Sequence, residues 1–163
     1  MRANHDFAVL FVCTGNICRS PTADGVFRRM VAEAGLDRRV LIDSAGVSGW
    51  HVGEAPDKRT QEAAKKRGYD LAFLRARAVE PADFQKFDLL LAMDRDHEWS
   101  LLSQAPEAAK NRIRMFMSFA PDLGVQEVPD PYYGGRDGFE HVLDLIEASC
   151  RGLMDHVRAS LKT

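Results

Sequence analysis

The residues that decide the fold are Phe7-Ala8-Val9-Leu10-Phe11-Val12-Cys13, followed at once by Thr14-Gly15-Asn16-Ile17-Cys18-Arg19-Ser20-Pro21. Seven apolar residues in a row, with β-branched and aromatic members and no polar alternation, predict a strand covered on both faces, as in a parallel sheet. Thr14-Gly15-Asn16 breaks that strand. Ser20 then suits a helix cap and Pro21 the first helical position. Val26, Met30, Val31 and Ala34 recur at helical spacing before Gly35 closes the element.

Working outward, the same alternation continues. Val40-Leu41-Ile42 is a second strand, running out through Asp43-Ser44-Ala45-Gly46. Pro56 opens a helix that carries Ala63 and Ala64 and stops at Gly68, and Pro81 to Phe84 is a short helical turn. Phe87 to Met93 reads as a third strand, Asp94 to Leu102 as helix, Ile113 to Phe119 as a fourth strand, and Pro121 to Gly138 as loop. Phe139, Val142, Leu143, Ile146, Cys150, Leu153, Met154, Val157 and Leu161 mark one face of a long final helix. Strands alternating with helices imply crossover units and a mostly parallel sheet. The expectation is an α/β fold, a small twisted parallel sheet of about four strands with helices on both faces, in one domain over residues 1–163.

Composition narrows the function. The chain has 163 residues, with 22 Lys plus Arg against 24 Asp plus Glu, a net charge of −2. That balance argues against a general nucleic-acid binder, which carries a basic surplus. No apolar run approaches the roughly 20 residues of a membrane span, and Asn4-His5-Asp6 stand where a secretory signal needs its basic lead. Three cysteines, Cys13, Cys18 and Cys150, form an odd and sparse set that fits a reducing compartment, so the protein is expected in the cytoplasm. A monomer is expected. His5, His51, His97, His141 and His156 show no ligand spacing with the cysteines, and Cys13 with Cys18 lacks the second pair a zinc site needs. No metal and no cofactor are expected.

The segment Cys13 to Ser20 lies between the carboxyl end of a strand and the amino end of a helix, where open α/β sheets bind ligands. Unpaired N–H groups at a helix start carry positive partial charge and attract an anion such as phosphate. Gly15 permits the close backbone approach that a loop around a tetrahedral anion requires. The planar fork of Arg19 can hold two phosphoryl oxygens at once. The same positive surroundings favour the thiolate of Cys13, a nucleophile, and the Ser20 hydroxyl can donate to it.

Val12-Cys13-Thr14-Gly15-Asn16-Ile17-Cys18-Arg19-Ser20-Pro21 resembles the signature of the low-molecular-weight protein tyrosine phosphatases. The likeness continues through Asp43-Ser44-Ala45-Gly46, Trp50-His51-Val52-Gly53, Phe87-Asp88, Met93-Asp94 and Asp130-Pro131-Tyr132, over nearly the whole chain in the family's order. The resemblance implies a three-layer phosphatase fold and hydrolysis of phosphotyrosine, in proteins or small aryl phosphates, through a cysteinyl phosphate. It implies Cys13 as nucleophile, Arg19 as anion clamp and Asp130 as general acid, held extended by Pro131. The loop residues Thr14, Gly15, Asn16, Ile17, Cys18 and Ser20 would surround the phosphate or another oxyanion. Trp50, Tyr132, Tyr133 and Ile17 resemble the apolar walls of the family's slot, and Asn16 with Ser44 resembles its loop-bracing pair. Cys18 resembles the second loop cysteine, able to form a protective disulfide with Cys13.

Two departures stand out. Many members carry His where this chain has Leu74, three residues before Arg77, so the bracing of Asn16 must come from elsewhere. Gly49 replaces the acidic residue often found before the Trp. Four rival readings share the fold or the loop, and one of them, a bacterial polysaccharide-system tyrosine phosphatase, stays open, although Trp50 is more like the broader class. An arsenate reductase needs relay cysteines between Cys18 and Cys150, where there are none. A phosphoarginine phosphatase is disfavoured by Ile17, where its relatives carry Thr. A non-catalytic phosphoprotein-binding or redox-sensing module has no need of Cys13, Arg19 and Asp130 together.

Overall fold

The opening apolar run becomes the middle of the sheet. The structure, a computed structural model, describes residues 5–131 and 136–161. It places β1 (Phe7–Cys13) between β2 (Val40–Gly46) and β3 (Leu89–Ala92), with β4 (Ile113–Met115) beyond β3 and all neighbours parallel. Among the described residues, five α-helices connect and follow the strands: α1 (Arg19–Glu33), α2 (Lys58–Lys66), α3 (Asp83–Lys86), α4 (Arg95–Gln104) and α5 (Arg136–Leu161).

Strand alternation explains the layers. Val9, Phe11 and Cys13 face the side covered by α1 and α5, among Val26, Phe27, Leu143 and Ile146. Ala8, Leu10 and Val12 face the other side, against Phe84, Phe87 and Leu101. A strand buried on both faces gains nothing from polar alternation, which is why the run reads as unbroken apolar sequence. Phe11 sits edge-on to Phe27 and Phe116, with ring centroids 5.9 and 5.5 Å away. The predicted face of α5 is the buried one, from Phe139 through Val157.

The chain leaves β1 for β2 on one side and then crosses to β3 on the other. The carboxyl end of β1 is therefore the point where strand order reverses, and the crevice there is the standard ligand position of such sheets. The loop after Cys13 emerges into that crevice.

Several boundaries differ from the sequence expectation. α1 starts at Arg19, and Ser20 is not its cap; the cap position is Cys18, with no side-chain bond. The Ser20 hydroxyl is engaged elsewhere, as described below. Asp57 rather than Pro56 caps α2, its carboxylate accepting from the N–H groups of Arg59 and Thr60 at 2.8 and 3.4 Å. The fourth strand ends at Met115, because Phe116 and Met117 turn into the core as a 3₁₀ turn (Phe116–Phe119) beneath α5. There the Ser149 hydroxyl donates to the Phe116 carbonyl at 3.2 Å. Gly152 permits this approach, since a Cβ on it would lie 1.8 Å from the Phe119 carbonyl oxygen. The segment expected as loop from Pro121 contains a 3₁₀ turn at Pro121–Leu123, and α5 begins at Arg136.

Candidate active site

Cys13 ends β1, buried, with its sulfur 2.9 Å from the Ser20 Oγ on the first turn of α1. Asn16 holds that hydroxyl in place. Its side-chain N–H groups donate to the Ser20 Oγ at 2.9 Å and the Ser44 Oγ at 3.0 Å, while its carbonyl accepts from the Arg77 backbone N–H at 3.0 Å. With Asn16 already donating into Ser20, the serine's own hydrogen is available to the sulfur, the Ala45 carbonyl being a longer alternative at 3.4 Å. Asn16 adopts φ 59°, a left-handed conformation that Asn tolerates better than most residues. The bracing that the Leu74 departure put in question thus comes from the Arg77 main chain. Leu74 itself lies in a small apolar cluster with Ala64 and Leu71.

The loop is also tied from outside. The Cys13, Thr14 and Ile17 carbonyls accept from the N–H groups of Val47, Ser48 and Asp57 at 2.9, 3.0 and 2.8 Å. Gly46, where β2 ends, allows this closeness: a Cβ there would lie 2.6 Å from the Thr14 carbonyl oxygen.

Arg19, 4% exposed, anchors the opposite side. Its Nη1 donates to the Asp94 Oδ2 at 2.8 Å and to the Val128 carbonyl at 3.0 Å. Its Nη2 reaches the Thr14 Oγ1 at 3.5 Å and lies 3.7 Å from the Asp130 Oδ2. Val128 in turn donates its N–H to the Met93 carbonyl at 2.8 Å, pinning the segment that carries Asp130 to the end of β3. Asp94 caps α4, and burial alone would raise its carboxyl. The His97 ring and backbone N–H together with the Arg19 guanidinium outweigh that effect and hold it below the usual carboxylate range.

Cys13, Thr14, Gly15, Ile17, Cys18, Arg19, Trp50, His51 and Asp130 line one cleft of about 190 Å³. Trp50 is 81% exposed, an apolar rim residue standing over the opening. Asn16 and Ser20, expected among the substrate contacts, do not line the cleft; their polar groups are spent on Cys13 and the loop. Tyr132 and Tyr133 lie outside the described residues. His51, which the sequence offers only within the Trp50-His51-Val52-Gly53 motif, lines the wall, and its Nδ1 pairs with the Glu54 carboxylate at 2.6 Å. Sequence reasoning does not name Asp94 or His97 as site residues; its signals for Asp94 are the Met93-Asp94 block and an Asp opening a helix at a strand's end, and His97 has none.

Burial pushes the Cys18 thiol up to about 12, so at neutral pH it carries its proton. All three cysteines are free thiols. Among the described residues no cluster of His, Cys, Asp and Glu is arranged to hold a metal ion, and no helix is long and apolar enough to cross a membrane.

Residues 8–163 match the family model described as low molecular weight phosphotyrosine protein phosphatase. A low molecular weight protein-tyrosine-phosphatase of Streptomyces coelicolor is 45% identical over 159 residues, covering 96% of both chains. Among solved structures, a protein tyrosine phosphatase from Entamoeba histolytica with Hepes in its active site aligns with a TM-score of 0.90. It is 38% identical and covers 94% of this chain and 97% of its own. YfkJ from Bacillus subtilis gives the same TM-score and identity over 98% of each chain.

Proposed function

The chain belongs to the low molecular weight phosphotyrosine protein phosphatases, and from that membership we propose that it hydrolyses phosphotyrosine and aryl phosphate monoesters through a cysteinyl-phosphate intermediate. The observation that carries the reading is the convergence on one cleft of the Cys13 sulfur, the Arg19 guanidinium and the Asp130 carboxyl.

The Cys13 thiolate attacks phosphorus in line with the leaving oxygen, forming the S–P bond as the P–O(aryl) bond breaks. Arg19 and the loop amides hold the non-bridging oxygens as charge shifts across them. Asp130 gives its proton to the departing phenolate, because expelling an unprotonated phenolate is costly. The resulting carboxylate then takes a proton from the water that attacks phosphorus. The S–P bond breaks, and inorganic phosphate and the thiolate are released. At that moment the Ser20 hydroxyl, 2.9 Å from the sulfur, stabilises the leaving thiolate. Trp50 and Ile17, with Tyr132 and Tyr133, are proposed to flank the aryl ring. The chain itself supplies the nucleophile, the charge clamp and the acid, so the assay is run with a chelator present. A nucleophilic cysteine needs a reducing compartment, which favours the cytoplasm.

Purified reduced protein should hydrolyse p-nitrophenyl phosphate in a chelating buffer and be inhibited by vanadate. Cys13→Ser should lose roughly 10⁴-fold or more in turnover while still binding phosphate. Wild-type protein that releases no nitrophenol, or a Cys13→Ser protein that keeps its rate, refutes the mechanism.

A further inference from the structure

We propose that His97 is a positioning residue for this site: as a neutral imidazole with its proton on Nε2, it fixes the Thr14 hydroxyl as a donor aimed at the bound oxyanion. The inference rests on the phosphatase reading only for the origin of that oxyanion.

The assignment follows from donor and acceptor arithmetic around a closed ring of side chains. The Asp94 backbone N–H, which can only donate, lies 3.2 Å from the His97 Nδ1. Nδ1 also lies 3.1 Å from the Asp94 Oδ1, but the hydrogen bond formed at Nδ1 is the one received from the Asp94 backbone N–H; Nδ1 therefore accepts and carries no proton, which leaves the proton on Nε2. Nε2 lies 2.8 Å from the Thr14 Oγ1, so the ring donates to the hydroxyl oxygen. The Arg19 Nη2, also a donor only, approaches the same oxygen at 3.5 Å. Both partners of Thr14 give hydrogens and neither can receive one. The hydroxyl's own hydrogen must turn away from both, and Thr14 lines the cleft with Cys13 and Arg19.

A free threonine hydroxyl rotates to suit its surroundings. Here its direction is set before any ligand arrives, so no reorganisation is needed as charge develops on the phosphoryl oxygens. The ring is closed by Asp94, whose Oδ1 accepts from the His97 backbone N–H at 3.1 Å while its Oδ2 accepts from Arg19. His97 is 1% exposed. Burial and then the Arg19 charge lower its pKa to about 4, opposed by Asp94 and Asp130, so the neutral ring persists through the neutral range.

Three variants test this. Thr14→Val removes the hydroxyl at nearly constant shape. His97→Asn keeps a carbonyl near the Nδ1 position for the Asp94 N–H and cannot reach Thr14. His97→Gln can place an amide N–H near the Nε2 position. Thr14→Val and His97→Asn should each lower kcat/KM for p-nitrophenyl phosphate roughly tenfold, the double variant should be no worse than either, and His97→Gln should recover several-fold. Additive losses in the double variant, or a His97→Asn enzyme equal to wild type, overturn the proposal. Long-range ¹H–¹⁵N correlation at pH 7 should show a protonated Nε2 and a bare Nδ1 on His97; a proton on Nδ1 overturns it whatever the rates. Should wild-type protein fail to hydrolyse aryl phosphates, the phosphatase reading falls while inorganic phosphate still decides the inference. Binding weakened about threefold or more by both Thr14→Val and His97→Asn supports it, and unchanged binding overturns it.

Discussion

The two sides of the loop are held by different chemistry. On the Cys13 side the braces are neutral: a carboxamide, two hydroxyls and a main-chain N–H, all centred on Asn16. On the Arg19 side they are charged or titratable: a guanidinium, a carboxylate and an imidazole linked through Thr14. The neutral side keeps its hydrogen bonds at any ordinary pH, so the support around Cys13 does not depend on solution conditions. The charged side orients the Arg19 guanidinium strongly, at the cost of a dependence on protonation.

Breaking the charged side should have the largest effect. Arg19→Lys replaces a fork with a point charge and loses its fixed contacts to Asp94 and Val128. Turnover is expected to fall about 10³-fold, measured with p-nitrophenyl phosphate. Asp130→Ala should cost roughly 10²–10⁴-fold and most for basic leaving groups. A uniform loss across a series of aryl phosphates would reject Asp130 as the acid.

The neutral side should show itself first in stability. Asn16→Ala leaves two hydroxyls and an N–H without their partner and places Ala at a positive φ. Unfolding free energy should drop by about 3 kcal/mol by denaturant titration, with a smaller loss of activity than Arg19→Lys. If Asn16→Ala were neutral in stability, the loop's order would have to come from the outer carbonyl ties alone.

The smallest effect is the one that separates the two sides by pH. His97 has a folded-state pKa of about 4, against an ordinary value near 6.5 in the unfolded chain. The unfolded state therefore binds the extra proton first. Stability from this residue is complete above about pH 6.5 and declines as the pH falls toward about 4. Asp94, held low, extends the decline below its ordinary range. Denaturant titrations at pH 7 and pH 4.5 should show a shallower loss for His97→Asn than for wild type. Equal slopes would mean that the imidazole is not kept neutral by the fold.

How much of this was legible in sequence depended on separation along the chain. β1, the loop and the start of α1 are contiguous, so an apolar run, a Gly break and an Arg six residues past Cys13 pointed to both the sheet's centre and the cleft beside it. The ring joining Arg19 and Thr14 to Asp94 and His97 spans 75 to 83 residues, and only the fold brings it together. Local rules failed where a tertiary partner took the group they relied on. Ser20 has the chemistry of a helix cap, but its hydroxyl belongs to Cys13. Phe116 and Met117 have strand-like bulk, but the core under α5 draws them off the sheet edge.

That early end of β4 has a further consequence. Sheet edges offer unpaired N–H and C=O groups to any passing extended chain. On the β4 flank only Ile113–Met115 are extended before the 3₁₀ turn bends the backbone away. Such an edge gives a stray strand too short a template for stable intermolecular pairing, which protects the protein from aggregating through that flank.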